Sequence, residues 1–101
     1  MAKVRWTRRA LDDLSEIHSF IAKDSRRAAE SLSERIVATA DHLGSFPELG
    51  RRVPEFPDSP YRELIVTGYR ILYRATPEAV WIAAIVHGRR QLERAFHPDP
   101  A

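Results

Sequence analysis

The hydrophobic period of this chain changes halfway along its length. Up to Leu43 apolar residues recur every three or four positions, and from Tyr61 onward they recur at every second position. The first spacing buries one stripe of a helix and the second buries one face of a strand, so the chain must pack helices against a sheet. Between the two regimes, Gly50–Pro60 carries Pro54, Pro57 and Pro60, which keep that connection extended or looped.

Lys3–Trp6 reads as a short edge strand. Thr7 then caps a helix with Ala10, Leu11, Leu14, Ile17, Phe20 and Ile21 on its apolar side, ending near Lys23. Asp12 and Asp13 are expected in its first turns, where they favour the helix dipole. Ser25 caps a second helix whose stripe is Ala29, Leu32, Ile36, Ala40 and Leu43, and Gly44 and Pro47 stop it. The join of about two residues implies an antiparallel helical hairpin. After a brief strand around Arg52–Val53 come Tyr61–Val66, a tight Thr67-Gly68 turn and Tyr69–Arg74. A second turn, Ala75–Glu78, leads to Ala79–Val86, which is apolar on both faces and therefore central in the sheet. Arg89–Phe96 is expected to form one or two helical turns, and the tail His97–Ala101 to fray. The fold class is α+β, in the order β-α-α-β-β-β, as an antiparallel twisted sheet with an N-terminal helical hairpin on one face. Residues 1–101 are expected to form a single domain.

A chain of 101 residues supports one modest core. Its formal net charge is only +2, with acids and bases balanced in both halves, so any anion-binding surface must come from local geometry. Cysteine is absent, which excludes disulfides and thiolate metal sites. No stretch is apolar enough for a membrane span and no secretory signal is visible, so a cytoplasmic protein without membrane partners is expected.

Chemistry concentrates in the second half. Arg62, Arg70, Arg74, Arg89 and Arg90 recur along the strands, and guanidinium groups in such number suit an anionic ligand. Arg70, Leu72 and Arg74 share one strand face, which is expected to be solvent-facing and concave. The competing use of these arginines is cross-strand pairing with Glu55, Glu63 or Glu78. His87 ends the central strand beside Gly88 and is a candidate general base or acid, expected within about 10 Å of Arg70 on the adjacent strand. Glu55 is a candidate proton acceptor or a partner that orients an arginine. His18 and His42 belong to the helices as structural residues. Trp6, Trp81, Tyr61, Tyr69 and Tyr73 are expected to pack in the core or at its rim. No histidines and carboxylates have metal-ligand spacing and no phosphate loop or dinucleotide fingerprint occurs, so neither metal nor cofactor is expected.

Taken together and in order, several motifs resemble the RelE/ParE superfamily of type II toxin–antitoxin toxins over almost the full length. They are Trp6 before a helix with Ala10, Asp13-Leu14 and Ile17, then Phe46-Pro-Glu-Leu-Gly-Arg-Arg-Val-Pro-Glu55. Arg62-Glu-Leu, Gly68-Tyr-Arg-Ile-Leu-Tyr73 and Val86-His-Gly-Arg-Arg90 complete the set. The resemblance implies a toxin, neutralised by a cognate antitoxin that folds on binding and forms a hetero-oligomer with it. Its acidic tail would cover the arginine surface, seat a helix in an apolar groove and add a strand at an open sheet edge. ParE-like members bind and poison DNA gyrase without catalysis, and the ending Ala84–Leu92 looks closer to theirs. The alternative is RelE-like, metal-independent mRNA cleavage on the ribosome, with Arg70, His87 and Glu55 in catalytic roles and Arg89 or Arg90 assisting. Nuclease members often carry an aromatic or proton-transfer residue where this chain has Gly88, a part that Phe96 and His97 could take only if the tail folds back. For the gyrase poison, Arg62, Arg70, Arg74, Arg89 and Arg90 are the expected target-binding residues.

Overall fold

A computed structural model describes residues 1–98. Its elements are β1 (Lys3–Trp6), α1 (Arg8–Ala22), α2 (Arg26–His42), β2 (Arg51–Arg52), β3 (Arg62–Val66), β4 (Tyr69–Ala75), β5 (Ala79–His87) and α3 (Leu92–Ala95). The expected fraying of the tail concerns, at Asp99–Ala101, residues outside those described.

Both helix starts follow from their caps. The Thr7 hydroxyl accepts a hydrogen bond from the Ala10 N–H at 3.1 Å, and Ser25 Oγ accepts from Ala28 N–H at 3.1 Å. Lys23, Asp24 and Ser25 join the helices, one residue more than the sequence suggested. Asp12 and Asp13 lie past the first turn, which instead holds Arg8 and Arg9, so the dipole role assigned to the two acids does not hold. They pair with those arginines across one helical turn. The buried stripe of α2 is as read, Ala29, Leu32, Ile36, Ala40 and Leu43. On α1 the stripe narrows to Ala10, Leu14, Ile17 and Ile21, leaving Leu11 and Phe20 exposed at 47% and 68%.

The five strands form one sheet in the order β1-β5-β4-β3-β2. Neighbours are antiparallel except β1, an edge strand that runs parallel to β5 and makes the sheet mixed. β5 is interior, as its two apolar faces require. A bulge on β5, opposite Leu72 and Tyr73 of β4, leaves Ala83 unpaired and reverses the alternation there. Ile82 and Ile85 consequently both face the helices, while Ala83 and Ala84 both face the opposite side. The hairpin turn is tight because Thr67 (φ 49°) and Gly68 (φ 82°) both adopt positive φ, the geometry a two-residue hairpin needs.

The sheet is packed on both faces, so the chain has two core clusters and not the single one expected from its length. Helices α1 and α2 cover one face over Val66, Ile71, Tyr73, Val80, Ile82 and Ile85. On the other, the tail folds back so that Leu92, Ala95 and Phe96 pack over Leu72, Ala84 and Val86 beside Val53 and Tyr61. Phe96 meets Tyr61 edge-on, ring centroids 5.1 Å apart. Among the described residues the second face is therefore covered at its middle and open at its two ends, not the open concave surface the alternation of Arg70 and Arg74 suggested.

Among the described residues, no helix is long and apolar enough to cross a membrane.

Candidate functional site

Arg70 points from β4 onto the second sheet face, yet it is buried, 8% exposed. Its Nη1 and Nη2 donate to the two oxygens of Glu55, both at 2.7 Å, and Nε donates to Glu63 Oε1 at 2.6 Å. Glu63, on β3 and fully buried, also accepts from Arg51 Nε at 2.7 Å. Two guanidiniums thus face two carboxylates, and each charge needs the others because a lone buried ion is costly. Hydrogen bonding to Arg70 holds the Glu55 carboxyl below its ordinary value, and the reciprocal bonds to Glu55 and Glu63 raise Arg70 further above the basic range. This corrects the expectation that Arg70 is exposed. Cross-strand pairing, weighed as the competing use of these arginines, is the use Arg70 has. Glu55 orients Arg70, each of its oxygens accepting one guanidinium N–H.

Arg70 and His87 nevertheless line one cleft of about 500 Å³, with Arg51, Ile65, Gly68, Gly88 and Arg89. His87 stands opposite Tyr69 on the neighbouring strand, one residue from Arg70, and is exposed. The Tyr69 ring meets it edge-on at 5.2 Å, and its Nδ1 accepts the Arg89 backbone N–H at 3.1 Å. With Nδ1 accepting, the neutral ring carries its proton on Nε2. Gly88 is required by packing, since a Cβ there would stand 2.9 Å from the Gly68 carbonyl oxygen while Gly88 N–H donates to that oxygen at 2.8 Å. The position after the last strand is closed to a side chain.

The remaining arginines are scattered. Arg62 donates to the Gly50 carbonyl at 2.8 Å and is half-buried, so it acts as a strut for the connection, not as a free cation. Arg89 and Arg90 are exposed just past β5 and form no ion pair among the described residues. Arg74 lies at the far end of the same face, beside Trp81. Trp81 is not core, being 38% exposed, whereas Tyr61 and Tyr73 are buried and Tyr69 half-buried. His42 is exposed and His18 half-buried, both on helices. Tyr73 donates to the Pro47 carbonyl at 2.9 Å and accepts from Gly50 N–H at 2.8 Å, which fixes the start of the connection; burial raises its phenol above the ordinary value.

Sequence reasoning missed Arg51 and underrated Glu63 within the clamp. The alternation of β3 puts Glu63 on the face opposite Leu64, which was signal enough for its side but not for its burial. It named Asp13 but missed its role: the carboxylate accepts the Ile85 N–H at 2.9 Å and, with Thr7 Oγ1 donating to Ala83 O at 2.9 Å, continues the ladder of β5 where β1 ends.

Comparison with known proteins adds to this geometry. The family model described as "ParE toxin of type II toxin-antitoxin system, parDE" matches residues 4–92. "Toxin RelE2" of Caulobacter vibrioides is 38% identical over 91 residues, covering 89% of this chain and 99% of that protein. "Putative toxin Y4kP" of Sinorhizobium fredii is 37% identical, covering 88% of this chain and 91% of its own length. Among solved structures, "Chromosomal ParDE TA system from P. aeruginosa" superposes with a TM-score of 0.70 over 86% of this chain and 96% of that one; at 21% identity it shows the same fold.

Proposed function

Because the chain belongs to the ParE toxin family of type II toxin–antitoxin systems, we propose that it arrests growth by binding DNA gyrase in the cytoplasm and cleaves no nucleic acid itself. The observation that carries this reading is the state of Arg70. An arginine that stabilises a phosphorane must aim free donors at the developing charge. Here Nε, Nη1 and Nη2 each donate to Glu55 or Glu63 and the side chain is buried, so a phosphate would have to displace a carboxylate to reach it. Position 88 offers no side chain, and although the tail folds back, Phe96 packs on Tyr61 and His97 lines a cleft with Thr7, Arg9 and Ala83 instead of the one that holds His87. What the cleft offers a partner is Arg51, Arg89, His87 and the exposed Ile65, a cationic rim around an apolar spot, with exposed Arg90 next to it in the chain.

An antitoxin is the partner that such a toxin requires. Exposed Phe46, Leu49 and Ile65 lie near a sheet edge that β2 covers only at Arg62 and Glu63, leaving Leu64–Val66 free to accept a strand. An acidic tail adding a strand there and lying over Arg89 and Arg90 would neutralise the toxin.

Purified protein incubated with gyrase and plasmid is expected to block supercoiling, and Arg89→Ala/Arg90→Ala to relieve the block. Programmed ribosomes incubated with the same protein are expected to keep their mRNA intact. The relatives named RelE favour testing the alternative in the same experiment: mRNA cleavage lost in His87→Ala would replace the gyrase reading.

A further inference from the structure

The end of the sheet far from His87 holds a second site. Three neighbouring strands place Arg5 of β1, Trp81 of β5 and Arg74 of β4 side by side, since Trp81 is the register partner of both arginines. All three project onto the sheet face away from α1 and α2, and Lys3 shares the outward side of β1 with Arg5. The Arg5 guanidinium carbon lies 6.0 Å from the Trp81 ring centroid, within cation–π reach. Beside the indole a cleft of about 300 Å³ is lined by Arg74, Thr7, Tyr61, Thr76 and Ala83.

The polar inventory of this cleft selects its ligand. Thr7 Oγ1 is committed to Ala83 O and Ala10 N–H, and Thr76 Oγ1 to the Ala79 carbonyl and N–H. Neither Arg5 nor Arg74 forms an ion pair among the described residues; Glu78, in the adjoining turn, forms none either. Arg70, by contrast, on the same face of β4, is paired with the carboxylates of Glu55 and Glu63. Among the described residues, what remains at this end is an exposed indole flanked by two guanidiniums without an ion-pair partner. An acidic peptide would satisfy the charges and leave the indole a simple apolar contact. A nucleotide uses both, its base stacking on the ring and its phosphate meeting the guanidiniums.

We infer that Arg5, Trp81 and Arg74 form a docking site for single-stranded nucleic acid, held by base stacking and phosphate contacts without sequence preference. The site lies roughly 13 Å along β4 from Arg70, at four residues of strand rise. α3 and its neighbours close the sheet face between the two. It does not depend on the gyrase reading.

The test titrates the full-length chain with short fluorescein-labelled oligodeoxythymidine and oligouridine between about 50 and 200 mM salt. A Trp6→Phe background makes Trp81 the reporter. Both oligomers are expected to bind at low salt and to quench Trp81 fluorescence, and preference for one would identify DNA or RNA as the source. Trp81→Ala should weaken binding about tenfold or more while Trp81→Phe, which keeps an aromatic face, largely retains it. Arg5→Ala and Arg74→Ala should each flatten the log–log salt dependence by roughly 0.7. The inference is overturned if neither oligomer binds at low salt, or if Trp81→Ala binds like the parent. It also fails if affinity follows Arg89 and Arg90, or if oligoglutamate competes as well as the oligomers, which would make this face a protein contact.

Discussion

Arg70 shows how one side chain can change role with its neighbours. Alone on a strand face it reads as an anion-binding cation; between Glu55 and Glu63 it is the counter-ion that makes a buried glutamate tolerable. Arg70→Ala should therefore destabilise the fold by up to about 3–5 kcal/mol, measured by urea unfolding, because it leaves buried Glu63 with only the largely exposed Arg51 as counter-ion and takes away the guanidinium that Glu55 pairs with. Activity lost in that variant would report unfolding as readily as chemistry, so His87→Ala is the cleaner probe of cleavage. The clamp also sets an acid limit. Glu55 has its folded-state value depressed below the ordinary 4.5, so the unfolded chain takes up its proton first as pH falls. Its contribution is fully present above about pH 5, declines as pH drops through the ordinary value, and is gone below the folded one. Chemical denaturation at a series of pH values should show this decline in the parent and a shallower one in Glu55→Gln.

At the scale of elements, the joints between helix and sheet matter most. β1 ends at Trp6, and beyond it α1 supplies Thr7 and Asp13 in place of strand partners for β5. Asp13→Ala should cost about 1–3 kcal/mol by leaving the Ile85 N–H unmatched, and Asp13→Asn, which keeps an acceptor, less. Hydrogen exchange at Ile85 is the direct readout, with protection falling in the alanine variant. The β3–β4 turn holds a different lesson. Thr67 adopts positive φ although its branched Cβ disfavours it, and Arg35 Nη1 donates to its hydroxyl at 2.8 Å from α2. Thr67→Asn supplies the residue such turns prefer and should raise stability by up to about 1 kcal/mol in thermal unfolding, less whatever the exposed Arg35 contact contributes.

For the whole molecule, the short C-terminal return decides how much sheet is available to a partner. Leu92, Ala95 and Phe96 convert an open face into two end clefts, one with His87 and Arg89, the other with Trp81 and Arg74. Phe96→Ala should cost about 3 kcal/mol or more and increase binding of a hydrophobic dye, because it uncovers Tyr61 and Leu72. The order of elements, the caps at Thr7 and Ser25, the α2 stripe and the central place of β5 were all legible from the chain, because period and capping are local properties of neighbouring residues. The family was legible too, from motifs in a fixed order. The sides of α1 that carry Leu11 and Phe20, the exposure of Trp81 and the burial of Arg70 were not. Each depends on which residues distant in the chain arrive opposite: Glu55 from a proline-rich connection, Glu63 from a neighbouring strand, Phe96 from the returning tail. A sequence states which groups carry charge, but only the folded chain determines whether that charge meets solvent or its own counter-ion, because burial and pairing energies act through space.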